Sequence, residues 1–200
     1  AIARVPAMDT AGRRGILLLN PGGPGADGFM WPAILYNLLN GSNPADELGQ
    51  RQLMLINQYD LIGFSPRGTG YSTVLECESE VELLGVSYAA AHRYVPGNID
   101  NMLRNASNMA QACQQNPLHS AIHTEFTVQD MDLIRGLLND EKLNYIGYSY
   151  GTWLGAWYAS RFPERAGRMV LDSSMDFTSN AVEADFLQPM ARERWLDQVL

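Results

Sequence analysis

The chain has 200 residues, 46% of them hydrophobic, enough to bury the core of one domain or of part of a larger one. Its 22 Asp and Glu against 14 Lys and Arg give a net charge of -8, which repels a phosphate backbone and argues against a nucleic-acid partner. No apolar run approaches the ~20 residues that cross a bilayer, so a membrane partner is not expected.

Residues 1–7 carry neither a charged leader nor an apolar leader core, and the sequence reads as one from which an upstream segment has been removed or omitted. Residues 15–19 form a short continuous apolar run stopped by Asn20-Pro21-Gly22-Gly23-Pro24-Gly25, the pattern of a buried strand with a turn at its end. A helix is predicted over 29–39. The stretch 53–64 closes on a second apolar run, 59–64, followed by the breaker-rich Ser65-Pro66-Arg67-Gly68-Thr69-Gly70, hence a second strand and loop. Residues 75–124 read as an inserted excursion with one amphipathic helix, whose apolar stripe is Ile99, Met102, Leu103, Ala106, Met109, Ala110 and Cys113. Thr127 with Asp130 resembles a capping box opening a helix with Val128, Met131, Ile134, Leu137 and Leu138 inward. A third strand is predicted at 143–146, a helix from the following turn to about Phe162, and a fourth strand at 168–171. Strands alternating with helices imply right-handed crossovers and a mainly parallel α/β sheet, with ligands bound beyond the strand C-termini. Residues 182–200 have a helical pattern, with Phe186, Leu187, Met190, Trp195, Leu196 and Val199 on its apolar side.

The chemistry concentrates in two turns. Gly147-Tyr148-Ser149-Tyr150-Gly151 is a G-x-S-x-G pattern between an apolar strand and a helix. Such an elbow forces its serine into a strained backbone, and small flanking residues relieve the crowding. Ser149 is therefore the candidate nucleophile, against the alternative of a surface turn. The Pro21–Gly25 turn admits three readings: a rigid loop, a phosphate cradle, or a loop lending a backbone N–H to a developing oxyanion. No Gly-Lys-Ser/Thr follows it, which weakens the phosphate reading. As an oxyanion loop it would donate from Gly23, with Gly22 next in line, and the residue after the nucleophile, Tyr150, would give the second backbone N–H.

Four blocks in this order, 20–25, Tyr-Asp-Leu-Ile-Gly-Phe-Ser-Pro-Arg-Gly-Thr-Gly at 59–70, Gly-Tyr-Ser-Tyr-Gly-Thr at 147–152 and Val-Leu-Asp at 170–172, resemble the tripeptidyl aminopeptidase and prolyl iminopeptidase family of α/β-hydrolases. The resemblance implies a secreted or periplasmic serine exopeptidase with a Ser-Asp-His triad beneath a mostly helical cap. Cys77 and Cys113 read from count alone as either a bridge or two buried thiols, and the resemblance favours the bridge. Ser65 departs from the family, which usually has Asp before Pro-Arg-Gly; the loop is taken as structural. Asn40-Gly41-Ser42 and Asn105-Ala106-Ser107 fit the glycosylation triplet and carry little weight.

A serine nucleophile needs a base and an acid, in the order Ser, acid, His for this fold. His92, His119 and His123 all precede Ser149 and read as surface or packing residues. His119 and His123 lack the intervening carboxylate of a zinc helix, so no metal and no cofactor is expected. Asp172 reads as a structural partner of the strand-end loops, and Asp176, Glu183 and Asp185 as candidates to begin a cap that meets a substrate amine. The expectation is an incomplete α/β-hydrolase: a core over 1–179, the start of a cap over 180–200, and a triad acid and histidine beyond residue 200, supplied by the remaining C-terminal portion of the same protein. The expected substrate is a peptide or a small ester. A carboxylesterase is the alternative activity, and a non-catalytic binding module on the same fold the third reading.

Overall fold

The computed structural model describes residues 1–87 and 95–177 and two single positions, 194 and 198. The predicted strands appear as β2 (Ile16–Asn20), β3 (Asp60–Phe64), β4 (Leu143–Tyr148) and β5 (Ala166–Asp172), joined by β1 (Ile2–Val5) at one edge. They form one sheet in the order β1-β3-β2-β4-β5. β2 runs parallel to both β3 and β4, β4 parallel to β5, and β1 antiparallel to β3.

β2 is buried at every position because helices cover both faces of the sheet. Ile16 and Leu18 face α4 (Thr124–Leu137) and α5 (Tyr150–Arg161), packing with Val128, Met131, Leu154 and Tyr158. Leu17 and Leu19 face α1 (Trp31–Asn40) and α2 (Glu47–Gln58), packing with Leu39 and Ile56. Each fully buried aliphatic side chain contributes roughly 1.5–3 kcal/mol. The chain leaves β2 for β3 over one face and returns to β4 over the other, which opens a crevice beyond the C-terminal ends of β2 and β4. Both motif turns stand there.

The opposite edge is held by charge. Asp60, its side chain 2% exposed, accepts hydrogen bonds from the Ala7 N–H at 2.8 Å, Arg13 at 2.8 Å and Arg4 at 2.9 Å. Arg13 also forks onto Asp140 at 2.8 and 2.7 Å, and Asp140 accepts the Ile16 N–H at 2.7 Å. One guanidinium thus ties the entry to β2, the first residue of β3 and the turn before β4. Burial alone would raise the Asp60 pKa; the Ala7 N–H and the Arg13 and Arg4 charges outweigh it and hold the carboxyl below the usual carboxylate value.

Three sequence expectations are corrected. The helix predicted to open at a Thr127 capping box starts at Thr124, with His123 as N-cap and no side-chain cap. Thr127 lies inside it, and Asp130 instead takes Arg67 bidentately at 2.6 and 2.7 Å. Its inward face is Val128, Met131 and Ile134, whereas Leu137 is exposed. α2 and β1 were not anticipated. In the excursion, α3 (Asn98–Gln115) forms, but its apolar stripe faces outward: Ile99 is 55% and Leu103 64% exposed. The inward face is a row of asparagines. Asn98 bonds both backbone groups of Ser87, Asn101 the carbonyl of Gly85, and Asn105 both backbone groups of Leu84. Among the described residues the segment over 76–87 has no strand partner, and carboxamides, each donor and acceptor at once, bond its backbone at Leu84, Gly85 and Ser87. Asn105 is thereby engaged within the fold. The Cys77–Cys113 disulfide is formed, with α-carbons 4.4 Å apart, and fastens this segment to the end of α3. Among the described residues no helix is long and apolar enough to cross a membrane. The predicted apolar face from Phe186 to Val199, Glu183, Asp185 and His92 lie outside the described residues.

Because the folded-state pKa of Asp60 is depressed, its contribution is present above the unfolded carboxylate value near 3.9 and is lost as pH falls through the folded value. Asp60→Asn is expected to cost about 3 kcal/mol at neutral pH by leaving Arg13 half-paired, and to flatten the loss of stability below about pH 4. Urea unfolding at pH 7 and pH 3.5 measures both.

Candidate active site

β4 ends at Tyr148, α5 begins at Tyr150, and Ser149 between them has φ 53° and ψ -120°. A positive φ is costly for a residue with a β-carbon and persists only where the surroundings over-determine it. Here they do. The Ser149 N–H donates to the Asp172 carbonyl at 3.0 Å, and the Ser149 carbonyl accepts from the Thr152 N–H at 2.9 Å and its hydroxyl at 2.6 Å. The Thr152 hydroxyl also accepts the Met175 N–H at 3.1 Å, so the turn is bolted to the chain beyond β5. Tyr145, wholly buried, donates its phenol to the Gly151 carbonyl at 2.7 Å, and burial pushes that phenol well above the ordinary tyrosine pKa. Ser149 itself is exposed.

The glycines of the elbow are required by contact. A β-carbon on Gly147 would lie 2.4 Å from the Gly151 carbonyl oxygen; one on Gly151 would lie 2.8 Å from both oxygens of Asn20. The Pro21–Gly25 turn meets the elbow the same way. A β-carbon on Gly22 would lie 2.4 Å from the Tyr148 carbonyl oxygen, 3.0 Å from the Tyr150 nitrogen and 3.1 Å from the Ser149 β-carbon. The structure therefore brings Gly22, Ser149 and Tyr150 together, with Gly23 next along the loop.

Among the described residues the Gly22 N–H is taken by Asn20 Oδ1 at 2.9 Å, whereas no hydrogen bond uses the Gly23 N–H. The Tyr150 N–H, first in α5, has no intrahelical acceptor. The Tyr150 N–H thus follows the serine directly, and the Gly23 N–H follows the glycine that touches it. The Tyr150 phenol points elsewhere, hydrogen-bonded to the Thr124 hydroxyl of α4.

The far end of the loop is anchored too. Asp27 Oδ1 accepts the Phe29 N–H at 2.9 Å and the Ser65 hydroxyl at 2.8 Å, and Ser65 Oγ accepts the Tyr71 N–H at 3.1 Å. Ser65 is buried. A carboxylate at 65 would face that of Asp27, so the departure from the family's Asp is matched by its neighbour.

Asp172 lies opposite Tyr148 in the β4–β5 register. Burial and the Asp172 charge both raise the Tyr148 phenol pKa, and the Tyr148 ring stacks on Trp31 at 5.2 Å. His119 Nδ1 bonds the Asn116 carbonyl at 2.8 Å, and His123 stacks on Phe126 at 4.5 Å. His123 lines a cavity of about 460 Å³ with Asn20, Gly22, Arg67, Thr124 and Tyr150, among others; Ser149 does not line it. Sequence reasoning passed over Asn20, Asp27, Thr124 and Thr152. Asn20 and Thr152 stood inside the quoted blocks as their end residues, while Asp27 and Thr124 carried no signal.

Residues 15–199 match the α/β-hydrolase fold family, and the chain belongs to it. It is 36% identical to the tripeptidyl aminopeptidase of Streptomyces lividans, over 92% of this chain and 34% of that protein. It is 30% identical to serine protease Hip1 of Mycobacterium tuberculosis, over 94% of this chain and 34% of that one. A carboxylesterase B, also of Mycobacterium tuberculosis, is 34% identical over the same shares. The chain thus spans about a third of the length of the curated relatives it matches.

Gly151→Ala is expected to destabilise the fold by about 1–3 kcal/mol, since both Asn20 oxygens must move. Gly136→Ala, in an exposed part of α4 with no atom within 4 Å of the added methyl, is expected to stabilise by up to about 1 kcal/mol. Parallel urea titrations read the opposite signs.

Proposed function

We propose that the complete protein is a serine exopeptidase that releases residues from free peptide N-termini through an acyl-enzyme on Ser149. The observation that supports the chemical part is the positive-φ Ser149 backbone packed against Gly22, and we assign the unpaired N–H groups of Gly23 and Tyr150 as its oxyanion donors. Attack by Ser149 Oγ on a carbonyl carbon turns its oxygen into an oxyanion, and the two N–H groups, held by the loop contacts at Gly22 and by the first turn of α5, stabilise it. The proton of Ser149 passes to a histidine oriented by an acid. Both are assigned to the remaining part of the same protein, in keeping with relatives three times as long. On that reading residues 1–179 belong to the nucleophile half of the core, and the cap assigned to 180–200 lies outside the described residues apart from positions 194 and 198.

The peptidase reading draws on the relatives named as an aminopeptidase and a serine protease. The carboxylesterase relative favours a second reading, an esterase, because elbow and donors serve both reactions. A secreted or periplasmic location is supported by the Cys77–Cys113 disulfide, which persists in oxidising compartments.

Kinetics on the complete protein separate the two activities. A short peptide amide with a free N-terminus should exceed its N-acetylated twin in kcat/KM by on the order of 100-fold, because acetylation leaves buried acceptors of the ammonium unpaired. Ser149→Ala should abolish turnover of both. Equal rates for the two amides, with a simple acyl ester turned over much faster, would instead establish the esterase.

A further inference from the structure

Asn20 ends β2 opposite Gly147 of β4, and its side chain is wholly buried beneath the junction of loop and elbow. Its Oδ1 accepts the Gly22 N–H at 2.9 Å. Among the described residues its Nδ2 has no partner, an unusual cost for a buried amide. An aspartate of the same shape would accept the same N–H in a stronger, charge-assisted bond and leave no donor unpaired. Against that, a carboxylate buried without an ion-pair partner costs far more than an unpaired amide N–H, and the chain carries the neutral Asn.

The difference between the two is charge, and the place explains why charge matters. The Asn20 oxygens sit where a methyl on Gly151 would be 2.8 Å away, under the first turn of α5, and the Gly22 that Oδ1 holds abuts the Tyr150 nitrogen. A carboxylate here would face the point at which the substrate oxygen becomes an anion, inside a poorly hydrated junction where repulsion is little screened. By occupying the Gly22 N–H, Oδ1 also leaves Gly23 as the free donor of that glycine pair.

We propose that Asn20 is a positioning residue of the oxyanion hole: its carboxamide oxygen fixes Gly22 so that the Gly23 N–H meets the oxyanion, and its neutrality keeps negative charge from behind that site. The inference rests on Ser149 being the nucleophile, with Gly23 and Tyr150 as donors.

The test uses the complete protein and three readouts: the rate of fluorophosphonate labelling at Ser149, normalised to sites labelled at completion; kcat and KM for a substrate the unsubstituted protein turns over; and the affinity of a boronic acid that forms a tetrahedral adduct. Asn20→Asp keeps the acceptor and adds charge, whereas Asn20→Ala removes the acceptor without charge. The expected result is a fall of at least 100-fold in kcat and labelling rate for Asn20→Asp and about tenfold for Asn20→Ala, with KM within threefold of the unsubstituted value. Boronate affinity should fall in parallel with kcat/KM. An Asn20→Asp protein within threefold of the unsubstituted rate, or one no slower than Asn20→Ala, overturns the proposal. If Asn20→Asp does not fold, Asn20→Ala decides alone, and a kcat within threefold of the unsubstituted value overturns it. Failure of the unsubstituted protein to label at Ser149 overturns the nucleophile assignment first and this inference with it.

Discussion

Three backbone segments meet at the C-terminal edge of the sheet with no room for a β-carbon between them: the end of β2 with its glycine turn, the elbow after β4, and the first turn of α5. Positions 22, 147 and 151 each place a would-be β-carbon within 3 Å of another segment's backbone or buried oxygens. This contact sets the distance between the loop and Ser149, and so decides whether two N–H groups can address one atom. In a close-packed interior such a junction has few alternative arrangements, which is what preorganised stabilisation of charge demands.

The junction stores strain at Ser149, and the rest of the fold is arranged to hold it. Thr152 binds the Ser149 carbonyl with both its N–H and its hydroxyl, Asp172 takes the Ser149 N–H, and Tyr145 pins Gly151 from within the core. At the opposite edge, Arg13 joins Asp60 and Asp140 and so fixes where the three central strands begin. Strands held at one end and packed on both faces deliver their other ends to fixed positions. Thr124 adds a tie from α4 to the Tyr150 ring, leaving the Tyr150 backbone N–H in place at the head of α5.

The central strands were legible because burial on both faces leaves continuous apolar runs bounded by glycine and proline, as at 16–19 and 61–64. The elbow was legible because its glycines are dictated by contact. α3 shows where pattern fails. Its stripe from Ile99 to Met109 has the helical period, yet the helix turns its asparagines inward, because an unpaired backbone segment needed donors and acceptors more than an apolar cover. The α4 start was misplaced because His123 caps it without a side-chain bond, leaving Thr127 as the stronger local signal. α2 carried its own sign, Asp46 accepting the Gly49 N–H at 2.6 Å, but its interior buries little beyond Gly49 and Ile56. The polar ties at Asn20, Asp27 and Thr124 depend on partners far along the chain or across the sheet, which no local window contains.

The proposed oxyanion hole is geometric: one oxygen beside Ser149 would be held by two backbone N–H groups, one from the glycine turn after β2 and one from the head of α5. A crystal structure of the complete protein with Ser149 phosphonylated tests it directly, since the phosphonyl oxygen occupies the place of the oxyanion. That oxygen is expected at about 3 Å from both the Gly23 and the Tyr150 nitrogens. A phosphonyl oxygen turned toward solvent, or one bound by Gly22 in place of Gly23 with Asn20 released, would contradict it.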